Sequence, residues 1–286
     1  MHFLTILSNL AVSCWLGGAA LFTFVLTPML HWPDTLFCYL TGEDILFSND
    51  AFGHHLATEG MYNDLADPCA LQEECIKYYA NILTPFSALV KRKIEEFAGL
   101  GLPLKMICPS HGTIWRDNPM QIVSKYLEWA ADYQEHQASI VYDTMWNGTR
   151  RMAEAIAQGL TEADPTLVVK LINAGKGDKN DIITEVFRSK AVLVGSPTIN
   201  RGYLSSLGGL LEMMRGLGFK NKKAAAFGAY GWSGESVKLL TAQLKECGFA
   251  VPAASEAGMR AMWNPDGDAL EQCRAFGREF GQGLKS

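Results

Sequence analysis

The sequence predicts an α/β protein whose C-terminal half is a doubly wound parallel sheet. From Ser139 onward, short and nearly continuous apolar runs alternate with amphipathic stretches, the pattern of βαβ units whose strands are buried on both faces. The chain has 286 residues, which at roughly 150 per domain leaves room for a second unit ahead of that sheet. With 48% hydrophobic and 19% charged residues it has the composition of a folded protein, and 25 Lys+Arg against 30 Asp+Glu give a net charge of −5. Without a basic excess, an extended nucleic-acid footprint and a polybasic membrane patch are both excluded as leading readings. The seven cysteines are odd in number, scattered and never spaced C-x-x-C, so neither a disulfide framework nor a zinc or rubredoxin-type site is indicated. A reducing, cytoplasmic setting is the expectation.

The first elements are the least regular. Phe3 to Leu30 carries no charged residue and reaches the length of about 20 apolar residues that a spanning helix needs. No Lys or Arg precedes it, however, so the positive flank of a signal or orientation sequence is missing. Leu21 to Leu26, rich in Phe, Val and Thr, suits a buried strand equally well. Thr35–Leu40 and Asp44–Ser48 are β-rich runs around Thr41-Gly42 and predict a hairpin. Tyr78 to Glu96 reads as helical with a break at Pro85. Met106–Cys108 is an apolar run ending in the loop Pro109-Ser110-His111-Gly112. Asn118, Pro119 and Gln121 resemble the start of a capped helix, whose apolar face would hold Ile122, Val123, Tyr126, Leu127, Ala130 and Tyr133. The chain then divides into an apolar leader (1–30), a middle domain (31–137) and the sheet domain (138–286).

In the sheet domain the expected strands are Ser139–Tyr142, Leu167–Ile172, Ala191–Val194, Ala224–Phe227 and Phe249–Ala253. Helices are expected at Arg151–Leu160, Lys179–Arg188, Leu204–Leu217, Ser233–Glu246 and Asp268–Phe280. Sheets of this kind bind ligands at the C-terminal ends of their strands. After the first strand stand Thr144, Met145, Trp146, Asn147, Gly148 and Thr149, running directly into a helix. Amides at a helix N-terminus, two Thr hydroxyls, an Asn amide and a permissive Gly make an anion cradle suited to a phosphate. Ser196, Pro197, Thr198 and Asn200 follow the third strand, and Ala229, Tyr230, Gly231, Trp232 and Gly234 the fourth. Trp146, Tyr230 and Trp232 could flank a flat ring whose carbonyls and nitrogens meet loop amides, which is what a flavin requires. No G-x-G-x-x-G follows the first strand, which disfavours a dinucleotide site.

His31, Asp50 and His111 each lie in a loop at a strand end, and imidazole and carboxylate suit iron or zinc, with an Asp able to bridge two ions. His54, His55 and His136 are read as structural. Six segments, LTPMLHWPD, ILFSNDAFG, CPSHGTIWRDNP, YDTMWNGT, GSPTINRG and GAYGWSGE, occur in this order. From about Phe24 to the C-terminus the chain thereby resembles the flavodiiron proteins (A-type flavoproteins), which include nitric-oxide-reducing flavorubredoxins and rubredoxin:oxygen oxidoreductases.

The resemblance implies a metallo-β-lactamase-like α+β domain, here partial, followed by a flavodoxin-like FMN domain. It implies an oxidoreductase that takes electrons from a rubredoxin-type donor or reduced flavin cofactor, passes them through FMN to two irons, and reduces nitric oxide to nitrous oxide or dioxygen to water. His31, Asp50 and His111 look like the last three iron ligands of the family in sequence order, with Asp50 bridging. The family's arrangement, with the FMN of one chain beside the metal of another, implies a head-to-tail homodimer. Members also carry an upstream H-x-E-x-D-H motif for the other iron ligands. This sequence contains no H-x-E and no rubredoxin extension. The chain therefore looks like a member without the first half of its metal domain, and the alternative is a flavodoxin-like FMN electron carrier without diiron turnover.

Overall fold

The computed structural model describes residues 4–8, 11–15 and 21–285, the first two stretches by their backbone alone. Two compact units divide between Ala131 and Asp132.

The first unit is built on one six-stranded sheet, β1 (Leu4–Ser8), β2 (Ala11–Trp15), β3 (Leu21–Leu26), β4 (Leu36–Thr41), β5 (Ile45–Asn49) and β6 (Met106–Pro109), ordered as they occur in the chain. All neighbours are antiparallel except β5 and β6, which are parallel. The apolar leader therefore contributes strands and not a spanning helix, and among the described residues no helix is long and apolar enough to cross a membrane. The reason is its period: in β3, Thr23 and Val25 are buried while Phe22, Phe24 and Leu26 point the other way, a two-residue alternation that only a strand satisfies. The hairpin expected around Thr41-Gly42 is the β4–β5 pair.

The helical region starts ten residues earlier than the sequence suggests, with α1 (Pro68–Tyr78), because Asp67 accepts the Ala70 amide at 2.8 Å and Pro68 occupies the first helical position. The break does fall at Pro85: a π turn (Tyr79–Leu83) and a 3₁₀ turn (Thr84–Phe86) separate α1 from α2 (Ser87–Ala98). α3 (Met120–Trp129) begins after Pro119 with no side-chain cap, so the expected capping box does not form. Its buried face ends on Trp129 where Ala130 and Tyr133 were expected. α2 and α3 cover one face of the sheet. Phe97 meets the rings of Phe37 and Tyr39 at 6.0 and 6.1 Å, and Tyr126 packs on Phe52 at 4.7 Å and accepts its amide.

The second unit is a parallel sheet of β7 (Glu135–Tyr142), β8 (Val168–Asn173), β9 (Ser189–Gly195), β10 (Lys223–Tyr230) and β11 (Met259–Met262) in the order β8-β7-β9-β10-β11. Numbered within the unit this is 2-1-3-4-5, the flavodoxin-like doubly wound order, whose switch point lies between its first and third strands, β7 and β9. The helices are α4 (Gly148–Ala163), α5 (Lys179–Arg188), α6 (Ser205–Leu217), α7 (Glu235–Glu246) and α8 (Gly267–Gln282). α4 and α8 cover one face, over Ala138, Ile140, Leu193, Ala225 and Phe227. They cross at backbone contact: a Cβ on Gly159 would lie 2.0 Å from the Arg274 carbonyl, and one on Gly277 2.2 Å from that of Ile156. That crossing fixes α4, whose N-terminus points at the strand ends.

Four of the five expected strands are present, three with longer bounds and Leu167–Ile172 shifted by one residue to Val168–Asn173. The fifth is not where the sequence placed it. Phe249–Ala253 forms only an isolated bridge from Ala250 to Lys223, and Pro252, which has no amide to donate, leads into a 3₁₀ turn. The edge strand is Met259–Met262, where Arg260 and Met262 are exposed and only Ala261 is buried, too weak an apolar signal to read from sequence.

Candidate functional site

The C-terminal ends of β7, β9, β10 and β11 enclose a cavity of about 320 Å³. Its floor is the N-terminus of α4. Asn147 takes the left-handed conformation (φ 63) that turns the chain into the helix, and the first amides of α4 have no intrahelical acceptor. Thr149 is fully buried, its hydroxyl 3.5 Å from the Ala229 amide, whereas the Thr144 hydroxyl is buried with no hydrogen-bond partner. An orphaned hydroxyl beside free helix amides is a site for an anion.

From the first loop, Thr144, Met145, Trp146, Gly148 and Thr149 line the cavity, and Asn147 lines a neighbouring one. From the second, Pro197 and Thr198 line it. Ser196 is turned inward, donating to the Pro197 carbonyl and accepting the Leu204 amide, both at 2.9 Å, and Asn200 sits in the left-handed turn that links Ile199 and Gly202. From the third, Ala229, Tyr230, Gly231 and Trp232 line the cavity, while Gly234 (φ 77) is the residue that starts α7.

Two lining residues were not foreseen. Trp263 and Asn264 follow β11, so misplacing that strand concealed its end loop. Trp263 donates its amide to the Tyr230 carbonyl at 2.7 Å, and Asn264 accepts from Arg151 at 2.8 Å. The segment Met259-Arg260-Ala261-Met262 before them carries no apolar run, so no local signal marks this loop as a strand end. Trp146, Trp232 and Trp263 are 86%, 71% and 71% exposed, so the mouth presents aromatic surface that a flat ligand would cover. Phosphate donors at the floor and aromatic rings at the rim fit FMN.

In the first unit the loops after β3, β5 and β6 bring His31, Asp50 and His111 together. His31 Nε2 lies 3.5 Å from Asp50 Oδ2 and His111 Nε2 3.6 Å from Asp50 Oδ1, so each imidazole faces a different carboxylate oxygen. Ser110 donates to Asp50 Oδ1 at 2.7 Å. His111 turns Nδ1 toward the His54 carbonyl at 3.1 Å, which leaves Nε2 to face Asp50, while the Tyr78 hydroxyl stands 3.3 Å from it. His54 is itself fully buried, with the Thr113 and Leu56 amides at 3.0 and 3.1 Å from its ring nitrogens. Burial, with His111 and His55 adding to it, pushes its imidazole down to about 4. His55 lies against the rings of His111 and Tyr78, 5.1 Å from each. Exposed His136 pairs with Asp164 at 3.0 Å. Yet among the described residues no three His, Cys, Asp or Glu side chains form a group that could hold a metal ion. One carboxylate between two imidazoles does not fit a pair of irons.

The flavodoxin family matches residues 140–277. The chain is 55% identical over 265 residues to the anaerobic nitric oxide reductase flavorubredoxin of Klebsiella pneumoniae and 54% identical to that of Escherichia coli, in each case over 93% of this chain and 54% of the relative. It thus spans about half the length of the curated relatives it matches. Among solved structures, the rubredoxin oxygen:oxidoreductase of Desulfovibrio gigas superimposes with a TM-score of 0.88 at 35% identity, over 94% of this chain and 66% of that one. The flavodiiron protein of Giardia intestinalis gives 0.86 at 32% identity, over 93% and 64%. With both units matched in one continuous alignment and the flavodoxin-like strand order present, the chain belongs to the flavodiiron protein family.

Proposed function

We propose that this chain is the FMN-carrying part of an oxidoreductase that reduces nitric oxide to nitrous oxide, or dioxygen to water, with electrons from a rubredoxin-type donor. The observation that carries the reading is the cavity at the β7/β9 switch point, where an orphaned Thr144 hydroxyl and the α4 amides lie below a rim of three tryptophans. FMN, when bound, supplies a centre that takes up and passes on electrons. The chain's own residues do the rest: Thr144, Thr149 and the first turn of α4 hold the phosphate, and Trp146, Tyr230, Trp232 and Trp263 orient the ring and exclude water from its faces. The relatives' names support nitric oxide or dioxygen as the substrate. The same resemblance supports a metallo-β-lactamase-like first domain over 31–137, a flavodoxin-like domain over 138–286, a cytoplasmic homodimer, and His31, Asp50 and His111 as three members of an iron-ligand set that is incomplete among the described residues.

A second reading, drawn from the donor set among the described residues, one carboxylate between two imidazoles, is an FMN electron carrier without diiron turnover. Two measurements decide. Purified protein should be yellow with one FMN per chain, and Asn147 and Thr149 replaced together by bulky hydrophobes should abolish retention; unchanged stoichiometry in that variant removes the cradle assignment. Anaerobic iron reconstitution followed by nitric oxide consumption with chemically reduced rubredoxin then separates the readings. Two tightly bound irons per chain, with turnover lost in His111→Ala, would select the complete enzyme. Fewer irons and no turnover would select the carrier.

A further inference from the structure

We propose that Asp143 is a positioning residue for the flavin's phosphate, holding the Thr144 hydroxyl free to meet it. The inference rests on the FMN reading above. A carboxylate directly beside an anion cradle is electrostatically unfavourable, so its presence needs a geometric reason.

Asp143 is the first residue beyond β7, and its amide donates to the Gly195 carbonyl at 3.0 Å, which ties it to the end of β9. Oδ1 accepts the Thr144 amide at 2.7 Å. Oδ2 accepts the Ser206 hydroxyl at 2.6 Å, from the first turn of α6. On its third side the loop after β8 passes so closely that a Cβ on Gly175 would stand 2.8 Å from Oδ2. One carboxylate therefore ties its own loop to the start of α6 through two hydrogen bonds and packs against the loop after β8, and its charge is spread over two donors.

The consequence lies in Thr144. Its amide is withdrawn from the cradle by Asp143, while its hydroxyl stays buried with no partner. A buried unpaired hydroxyl is costly in the empty protein and is satisfied when a phosphate oxygen arrives, so the brace selects which Thr144 donor serves the ligand. Without the carboxylate the amide and hydroxyl would compete for the same turn, and the loop would lose its tie to α6.

The test compares FMN with riboflavin, which lacks the phosphate, by fluorescence-quenching titration of the full chain. Asp143→Ala should weaken FMN binding by about tenfold or more, the loss expected of one hydrogen bond to a charged group, and change riboflavin binding by less than about threefold. Asp143→Asn keeps an acceptor for the Thr144 amide and should recover most of the affinity, and Ser206→Ala should fall between. Because Asp143 acts through Thr144, Asp143→Ala added to Thr144→Val should weaken FMN no further than Thr144→Val alone. Unchanged FMN affinity in Asp143→Ala, or equal loss of both flavins, would overturn the inference and leave the FMN reading intact. Wild-type protein that binds neither flavin would remove both.

Discussion

The two sheets of this molecule are built from similarly apolar strands and end in different states. In the second unit both faces are closed over the central strands β7, β9 and β10, and only the edge strand β8 leaves Val168 and Leu171 50% and 44% exposed. Ile140, Leu193 and Phe227 on one side and Val141, Val192 and Ala226 on the other are all buried. In the first unit, among the described side chains, one face is closed, with Val25, Phe37, Tyr39, Leu46 and Ile107 buried beneath the helices. The opposite face carries two apolar rows in register, Phe22–Leu40–Ile45–Met106 and Phe24–Cys38–Phe47–Cys108, with Leu26 and Leu36 beside them. None of these is buried, none is charged, and Leu26 and Phe47 are 59% and 42% exposed. A strand apolar at every position is suited to burial on both faces, so the two units differ in how much of that demand is met.

The difference is sharpest in a pair of substitutions. Phe227→Ala, in the closed sheet, should cost about 3–5 kcal/mol in urea unfolding. Phe47→Ala, on the open face, should cost about 1–2 kcal/mol, since 42% of the residue stays in water. Phe47→Lys should further lower binding of a hydrophobic dye and raise the concentration at which the protein precipitates. Equal costs for the two alanine variants would mean that the open face is covered in solution.

A pH-dependent effect concerns Lys222, buried in the second unit with its ammonium donating to the carbonyls of Phe187 and Ser189 at 2.7 Å and of Tyr133 at 3.2 Å. Burial pulls it down from 10.5 to about 7, against the pull of Asp132. The unfolded chain thus holds a proton that the folded one has released between about pH 7 and 10.5, and stability from this group rises with pH across that window and is flat below it. The stability difference between wild type and Lys222→Met should therefore drift toward wild type from pH 7 to 10. A difference that does not change with pH would show that the three carbonyls keep the ammonium charged.

The smallest effect should be shared by both units. Asp67 caps α1 through the Ala70 amide, and Asp178 caps α5 through those of Asn180 and Asp181. Each Asp→Ala change should cost about 1 kcal/mol, because a helix cap is local and does not depend on whether the sheet beneath is closed. A cost several times larger for Asp67 would mean that the first unit is only marginally folded.

Much of the architecture follows from local chemistry and is legible in the residues alone. The βαβ alternation after Ser139 follows from nearly continuous apolar strands and helices apolar on one face. The break at Pro85 follows from a residue with no amide. The loops around Thr144, Thr198 and Tyr230 follow from Gly, hydroxyl and aromatic residues placed where strands end. What tertiary structure alone decided are the features whose cause lies far away in sequence. Met259–Met262 is a strand because β10 offers it an edge, and Phe249–Ala253 is not, although it is the more apolar run. Trp263 and Asn264 reach the cavity only through that pairing. Asp143 acquires its role from Ser206, sixty-three residues later. The sequence by itself determined which segments could form strands, helices and donor loops; which of them meet was set by hydrogen bonds and packing between residues whose separation along the chain carries no local signal.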